Sequence, residues 1–231
     1  MGLLTFSRGD DIPSWFGHTA LYVRDNRLQV ERVYNYGMFS FGPDMLPKFL
    51  SGRLEFWVGE ASYGRTVRVY TRLDRDVRLQ ILNLSPDKRL EVAKFLAWNV
   101  LPENRTYLYD HYFDNCATRI RDVIDKSVGG QFHKANDKPA RFVLRDHVRR
   151  HTQRNAYIDV LLTFWMNSDI DAPIKQWDEM FLPTELEHRV DELNYVNAAG
   201  ELVPLVAETQ IIHKSKRGPP PSEPSNIYFY L

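Results

Sequence analysis

Apolar positions alternate with polar ones at a period of two along much of the first third of the chain, and further on they recur at helical spacing. The alternating and short apolar runs predict strands over residues 3–6, 19–23, 28–36, 54–58, 66–70 and 77–84. Arg24-Asp25-Asn26-Arg27 is polar and turns the second run back into the third. Ser85-Pro86-Asp87 then reads as an N-cap with proline at the first helical position, followed by a stripe of Leu90, Ala93, Leu96, Ala97 and Val100 that would back a sheet. Further helices are predicted over 140–151, over 155–166 and from Thr184 onward after Pro183, and Asn197-Ala198-Ala199-Gly200 reads as the turn of a closing hairpin. No internal repeat is present, and the mixture of elements is that of an α+β fold: an antiparallel sheet with packed helices.

Length and composition fit one core: 231 residues with 43% hydrophobic content place a single domain over 1–213, with 214–231 a Pro-rich linker and tail. A formal net charge of zero argues against nonspecific nucleic-acid binding. The sequence holds no run of about 18 apolar residues. It ends in Ile-Tyr-Phe-Tyr-Leu after the proline-rich stretch 218–224, which resembles the beginning of a membrane-interface segment. The expectation is a domain excised from a longer membrane-anchored protein.

Chemistry concentrates around the single cysteine, Cys116, in Tyr-Asp-His-Tyr-Phe-Asp-Asn-Cys-Ala-Thr-Arg-Ile-Arg-Asp. Asp114 or Asn115 is a good N-cap, Ile120, Val123 and Ile124 share one face, and Gly129 and Gly130 mark the helix end. A thiol in the first turn meets unpaired backbone N–H groups, which are expected to lower its pKa from about 8.5 toward neutrality and to serve as an oxyanion hole. A base is available in His18, which follows Gly17 and opens a strand. Of the other histidines, His111 is the rival by proximity, whereas His147 and His151, in an Arg-rich helix, and His213, in a polar tail, are expected to be solvated. Although His147 and His151 have i, i+4 spacing, no acidic residue between them supplies the base of a zinc hydrolase, so no metal and no cofactor is expected.

Gly-His-Thr-Ala-Leu-Tyr-Val, Val-Tyr-Asn-Tyr-Gly-Met-Phe-Ser-Phe, Leu-Pro-Glu-Asn-Arg-Thr-Tyr-Leu-Tyr-Asp-His-Tyr-Phe-Asp-Asn-Cys-Ala-Thr-Arg and Trp-Asp-Glu-Met-Phe-Leu-Pro, in that order, resemble the Lnb N-terminal periplasmic domain family over about residues 3–212. The family is similar to the circularly permuted branch of the papain-like NlpC superfamily, in which the histidine strand precedes the cysteine helix. The resemblance therefore implies a papain-like core, with Cys116 as nucleophile, His18 as base and an orienting residue on the next strand. Asn35 is the first candidate for the orienting role, with Tyr34 and Glu31 as alternatives. It further implies a periplasmic domain of an inner-membrane protein that moves an acyl chain from a phospholipid to the amino terminus of a lipoprotein.

Trp15, Phe16, Tyr34, Tyr36, Asn115 and Arg119 are the candidates for substrate contact. Arg119, one turn after the thiol, would meet an anionic group or hold Asp110 or Asp114. The aromatic and Met-rich stretch Met38, Phe39, Phe41, Met45, Leu46, Phe49 and Leu50 would suit an acyl chain, and Arg141, Arg145, Arg149, Arg150 and Arg154 could face lipid phosphates. A cell-envelope cysteine amidase and a non-catalytic periplasmic module remain as alternatives. A greasy slot beside the thiol would favour the acyl enzyme, and an open polar groove the amidase.

Overall fold

The computed structural model describes residues 1–39 and 54–224. Most of the aromatic and Met-rich stretch, from Phe41 to Leu50, and the terminal pentapeptide lie outside the described residues.

Seven antiparallel strands form the main sheet. In chain order they are β1 (Gly2–Phe6), β2 (His18–Asp25), β3 (Val30–Met38), β4 (Glu55–Ser62), β5 (Val77–Leu82), β6 (Thr106–Leu108) and β9 (Val206–His213). In space they lie in the order β6-β4-β3-β2-β1-β5-β9. A short hairpin, β7 (Asn194–Val196) with β8 (Leu202–Pro204), closes around the predicted 197–200 turn, where Gly200 takes φ +80°.

Period-two alternation gives the sheet two apolar faces. Leu3, Leu21, Tyr34 and Tyr36 point to one side, where they pack against Ala117, Ile120 and Ile124 of the cysteine helix α3 (Cys116–Ser127). Val92 and Leu96 of α2 (Pro86–Asn99) and Leu186 and Val190 of α8 (Pro183–Glu192) complete that core. Leu4, Phe6, Ala20, Tyr22 and Val33 point to the other side and are covered by Tyr63, Val67 and Tyr70 of α1 (Tyr63–Arg72).

The strand predicted at 66–70 is thus a helix. Thr-Val-Arg-Val-Tyr alternates locally, but Tyr63, Thr66, Val67 and Tyr70 also recur at i, i+3, i+4 and i+7, and burial beneath the sheet selects that period. The edge strands β6 and β9 escaped the pattern for opposite reasons. β6 has three residues, and β9 exposes most of its side chains.

After the short helix α4 (Gln131–Ala135) come α5 (Leu144–Thr152), α6 (Ala156–Trp165) and α7 (Gln176–Glu179). The expectation that His147 and His151 are solvated is overturned. They belong to a buried stripe of α5, with Leu144, Val148 and Thr152, and Arg145, Arg149 and Arg150 flank it half-buried. His147 Nε2 lies 3.0 Å from Glu179 Oε1, and the Arg150 guanidinium donates to Nδ1 at 3.1 Å, so both ring nitrogens are occupied.

Candidate active site

Asn115 sets the start of α3. Its Oδ1 accepts from the N–H groups of Ala117 and Thr118 at 2.8 and 3.0 Å, and Thr118 Oγ1 in turn accepts from the Asn115 N–H at 2.8 Å. The amide Nδ2 donates to His111 O at 2.7 Å and to Phe181 O at 2.9 Å. With both lone pairs and both hydrogens used, Asn115 has nothing left for a substrate and is a structural cap, which corrects its assignment as a contact residue.

Cys116 occupies the first position of α3, on the face of the sheet opposite His18. Between them the sheet opens. β2 pairs with β1 as far as Phe6↔His18, but its pairing with β3 runs only from Asp25↔Val30 to Leu21↔Tyr34. Beyond that point Thr19 lies close enough to Cys116 that its N–H helps to hold down the thiol pKa. Gly37, at φ +84°, lines the other side, and a Cβ there would stand 3.6 Å from the Cys116 Cβ. Gly17 has an equally specific reason: at φ +85°, a Cβ would come within 3.0 Å of Phe6 O.

His18 is held on the α1 side. Its ring stacks with Phe6 and Tyr70, at centroid distances of 5.9 and 6.1 Å. Nε2 lies 3.3 Å from Asn35 Oδ1, and Asn35 Nδ2 reaches Val33 O at 3.4 Å. Because Oδ1 only accepts, Nε2 carries the proton and Nδ1 keeps the lone pair. No hydrogen bond joins the imidazole to the thiol in this structure. The alternatives to Asn35 are engaged elsewhere: Glu31 accepts from the Tyr22 hydroxyl, and Tyr34 is buried in the α3-side core.

Electrostatics separate the pair. Burial first, and then the positive charge of Arg75, bring the His18 pKa down to about 4 against the upward pull of Asn35. Burial likewise pushes the Cys116 thiol up to about 11, although the N–H groups of Thr19, Ala117 and Cys116 and the charge of Arg75 all pull it down. A thiolate at neutral pH, as the helix terminus alone predicted, is therefore not the resting state. Thiol and imidazole are both neutral. Tyr70, Tyr107 and Tyr109 surround the sulfur closely enough that a charge on it would raise each phenol's pKa.

Arg75 was not singled out in the sequence. Its side chain is buried, stacked over Tyr70 at 4.8 Å and tied to Ser7 O at 2.6 Å, and its Nη2 has no hydrogen-bond partner among the described residues.

The remaining candidates are dispersed. Trp15 is buried beneath the Arg154 guanidinium, and its Nε1 donates to Asp10 O. Phe16 packs between His111 and His151. Arg119 grips Asp114 through two hydrogen bonds of 2.5 and 2.7 Å and lies over the Tyr107 ring. The arginines named for lipid phosphates have protein partners: Arg145 binds Asp171 and helix-end carbonyls, Arg150 binds Glu185, and Arg141 binds Glu223.

Two cavities lie on the two faces of the sheet, and neither is lined by Cys116 or His18. One of about 490 Å3 lies between α2 and α3, with an apolar wall of Tyr36, Val92, Phe95, Phe113 and Val123 and with Arg119 and Asp114 at its rim. The other, of about 710 Å3, lies on the histidine face between β3 and α1, where Asn35, Tyr70, Arg65 and Glu60 give it a more polar lining.

A model of the Lnb N-terminal periplasmic domain matches residues 1–153, about two thirds of the chain, including every element that builds the Cys116–His18 opening. The chain belongs to the Lnb N-terminal periplasmic domain family. Comparison with curated proteins and with solved structures finds no match. Within this Lnb-type domain, the match ends one residue after α5, so α6 and all that follows lie outside it.

Proposed function

We propose that this Lnb-type domain is a thiol-dependent acyltransferase, acting at the periplasmic face of the inner membrane on a core of permuted papain-like kind. The observation that carries the reading is the placement of Cys116 at the capped start of α3, beside Gly37 and among backbone N–H groups that help to hold down its pKa, with the oriented His18–Asn35 pair on the adjoining strands.

In this reading Nδ1 of His18 takes the thiol proton as Cys116 attacks an ester carbonyl of a phospholipid. The C–S bond forms, the C–O bond breaks, and the proton passes from the imidazolium to the departing alkoxide. The backbone N–H groups steady the tetrahedral oxyanion. An amine, such as the amino terminus of a lipoprotein, then attacks the thioester. Its proton returns through His18 to the sulfur, releasing an amide. A resting pair that is neutral avoids holding two buried charges and ionises only along the reaction.

The apolar wall of the 490 Å3 cavity would suit an acyl chain, while its Glu91, Asp122 and Lys126 side would suit a polar peptide, so an acyl adduct rather than the lining separates this reading from a cysteine amidase. A non-catalytic module would leave Cys116 unmodified. Intact-mass analysis after incubation with phospholipid vesicles tests the proposal: a hydroxylamine-labile acyl adduct on wild-type protein, absent from Cys116→Ser, is the expected result. Lack of any adduct, combined with cleavage of a cell-wall peptide, would replace it by the amidase.

A further inference from the structure

Helix α6 (Ala156–Trp165) is built inside out. Tyr157, Val160, Leu161, Phe164 and Trp165 recur at i, i+3, i+4, i+7 and i+8, the spacing that ordinarily turns an apolar stripe to the core. Here the stripe faces outward: relative exposures are 88%, 42%, 55%, 87% and 72% in that order. The one charged residue of the helix, Asp159, is turned inward, 1% exposed, with its carboxylate accepting from the Thr152 hydroxyl at 2.7 Å.

This is not a frayed end. Asn155 caps the start, its Oδ1 accepting from the Ile158 N–H at 3.1 Å. At the other end Arg145 donates to the carbonyls of Thr163 and Asn167, both at 2.8 Å, and also grips Asp171. The helix is fastened by polar contacts on its inner side, and folding leaves the apolar stripe unused. A contiguous exposed patch of that kind marks an interaction surface.

We propose that α6 is a membrane-interface anchor, lying in the plane of the bilayer with its outward stripe at the boundary between headgroups and acyl chains. Ten residues make a helix of about 15 Å, half the ~30 Å needed to span. Among the described residues no helix is long and apolar enough to cross a membrane. Tyr157 and Trp165 stand at opposite ends, the aromatic types that favour the headgroup level. The stripe carries no charged side chain to form a polar rim, and one helix face of this length offers a few hundred Å2 at most, short of the ~800 Å2 per partner in a stable protein interface.

The anchor is also continuous with the approach to the thiol. Met166, just past the end of α6, receives the Tyr112 hydroxyl on its sulfur at 3.1 Å, and the next residue, Phe113, is 65% exposed three positions before Cys116. A bilayer meeting α6 would therefore lie near the Phe113 mouth of the apolar cavity. The anchor does not depend on the chemistry proposed for Cys116, so it is tested in the full chain carrying Cys116→Ser, and the two readings fail separately.

Flotation with phosphatidylethanolamine–phosphatidylglycerol vesicles measures it. The Cys116→Ser protein is expected to float, and the added pair Leu161→Glu and Phe164→Glu to weaken partitioning at least tenfold with the thermal midpoint retained, since both side chains are exposed. Leu90→Glu, an exposed apolar position on α2, should leave flotation unchanged. A milder variant guards against misfolding: on vesicle addition the protein should show a blue shift in tryptophan emission, and Trp165→Phe should remove most of it. Undiminished flotation of the folded double variant would overturn the proposal, as would a non-floating dimer that Phe164→Glu disperses.

Discussion

The backbone N–H of Thr19 lies close enough to Cys116 to help hold down the thiol pKa, at the point where β2 has ceased to pair with β3. The sheet is thus open between the face that carries Cys116 and the face where His18 and Asn35 lie. Burial there deprives the sulfur of water and raises its pKa even with backbone N–H groups nearby.

Alkylation and acylation are expected to respond differently to His18. With the thiol pushed up to about 11, iodoacetamide should label Cys116 at pH 7 more slowly than an ordinary exposed thiol, and the rate should climb through the alkaline range. His18→Ala should change that rate little while reducing acyl-adduct formation about 100-fold or more. Fast labelling at pH 6 that disappears in His18→Ala would instead show a resting ion pair.

Asn35→Ala removes the acceptor that keeps the proton on Nε2 of His18. Adduct formation should fall about tenfold to a hundredfold, a fraction of what the base itself contributes. Vesicle partitioning should stay at the wild-type level, since Asn35 lies away from α6. A loss of partitioning in parallel with the rate would point to a distorted fold.

Arg75→Gln removes a positive charge that holds down the pKa values of both partners. The His18 titration, followed by its ring-proton NMR signals, should move up from about 4, and the onset of thiol alkylation should move to higher pH. A downward movement of His18 would remove Arg75 from the electrostatics of the site.

Stability should fall as the solution is acidified. Burial lowers His18, His111 and His151 to about 4, from an unfolded value near 6.5. For each, the unfolded chain binds the proton first, so stability is full above 6.5 and is lost as pH drops toward 4. Glu187 acts in the opposite sense: burial raises it to about 7, and its contribution is full below 4.5 and lost as pH rises through 7. Three protons taken up against one released leave roughly two gained on unfolding between pH 6.5 and 4.5. Urea midpoints measured at pH 7, 5.5 and 4.5 should decline, and less steeply in His18→Gln. A midpoint that rises on acidification would contradict this.

Local signals were enough to read the cysteine helix, because an asparagine cap, a glycine stop and an apolar stripe act within a dozen residues. Asn35 was named through the family resemblance, which implies an orienting residue on the strand after the histidine, and the β2–β3 hairpin puts it beside His18. What failed depended on contacts distant in sequence. Thr66 to Tyr70 satisfied two periods at once until packing under β2 chose one, and the α5 stripe of His147 and His151 was concealed by its arginines. Arg75 reaches the site only because the chain after α1 crosses back to Ser7. Nor does the exposed stripe of α6 differ in sequence from a core-facing one. Only the direction of Asp159 tells them apart.

The hydrogen bond from Asn115 to Phe181 O ties the start of the cysteine helix to a segment almost thirty residues beyond the end of the family match. Met180, Phe181 and Leu182 are fully buried there, and β9, later still, is the outer partner of β5. A protein trimmed to its recognisable homology would keep Cys116, His18 and Asn35 yet lose a carbonyl that fixes the nucleophile's helix, together with one margin of the sheet. Shared ancestry is detectable over a shorter span than the one that must fold together, so the remainder is not free to leave.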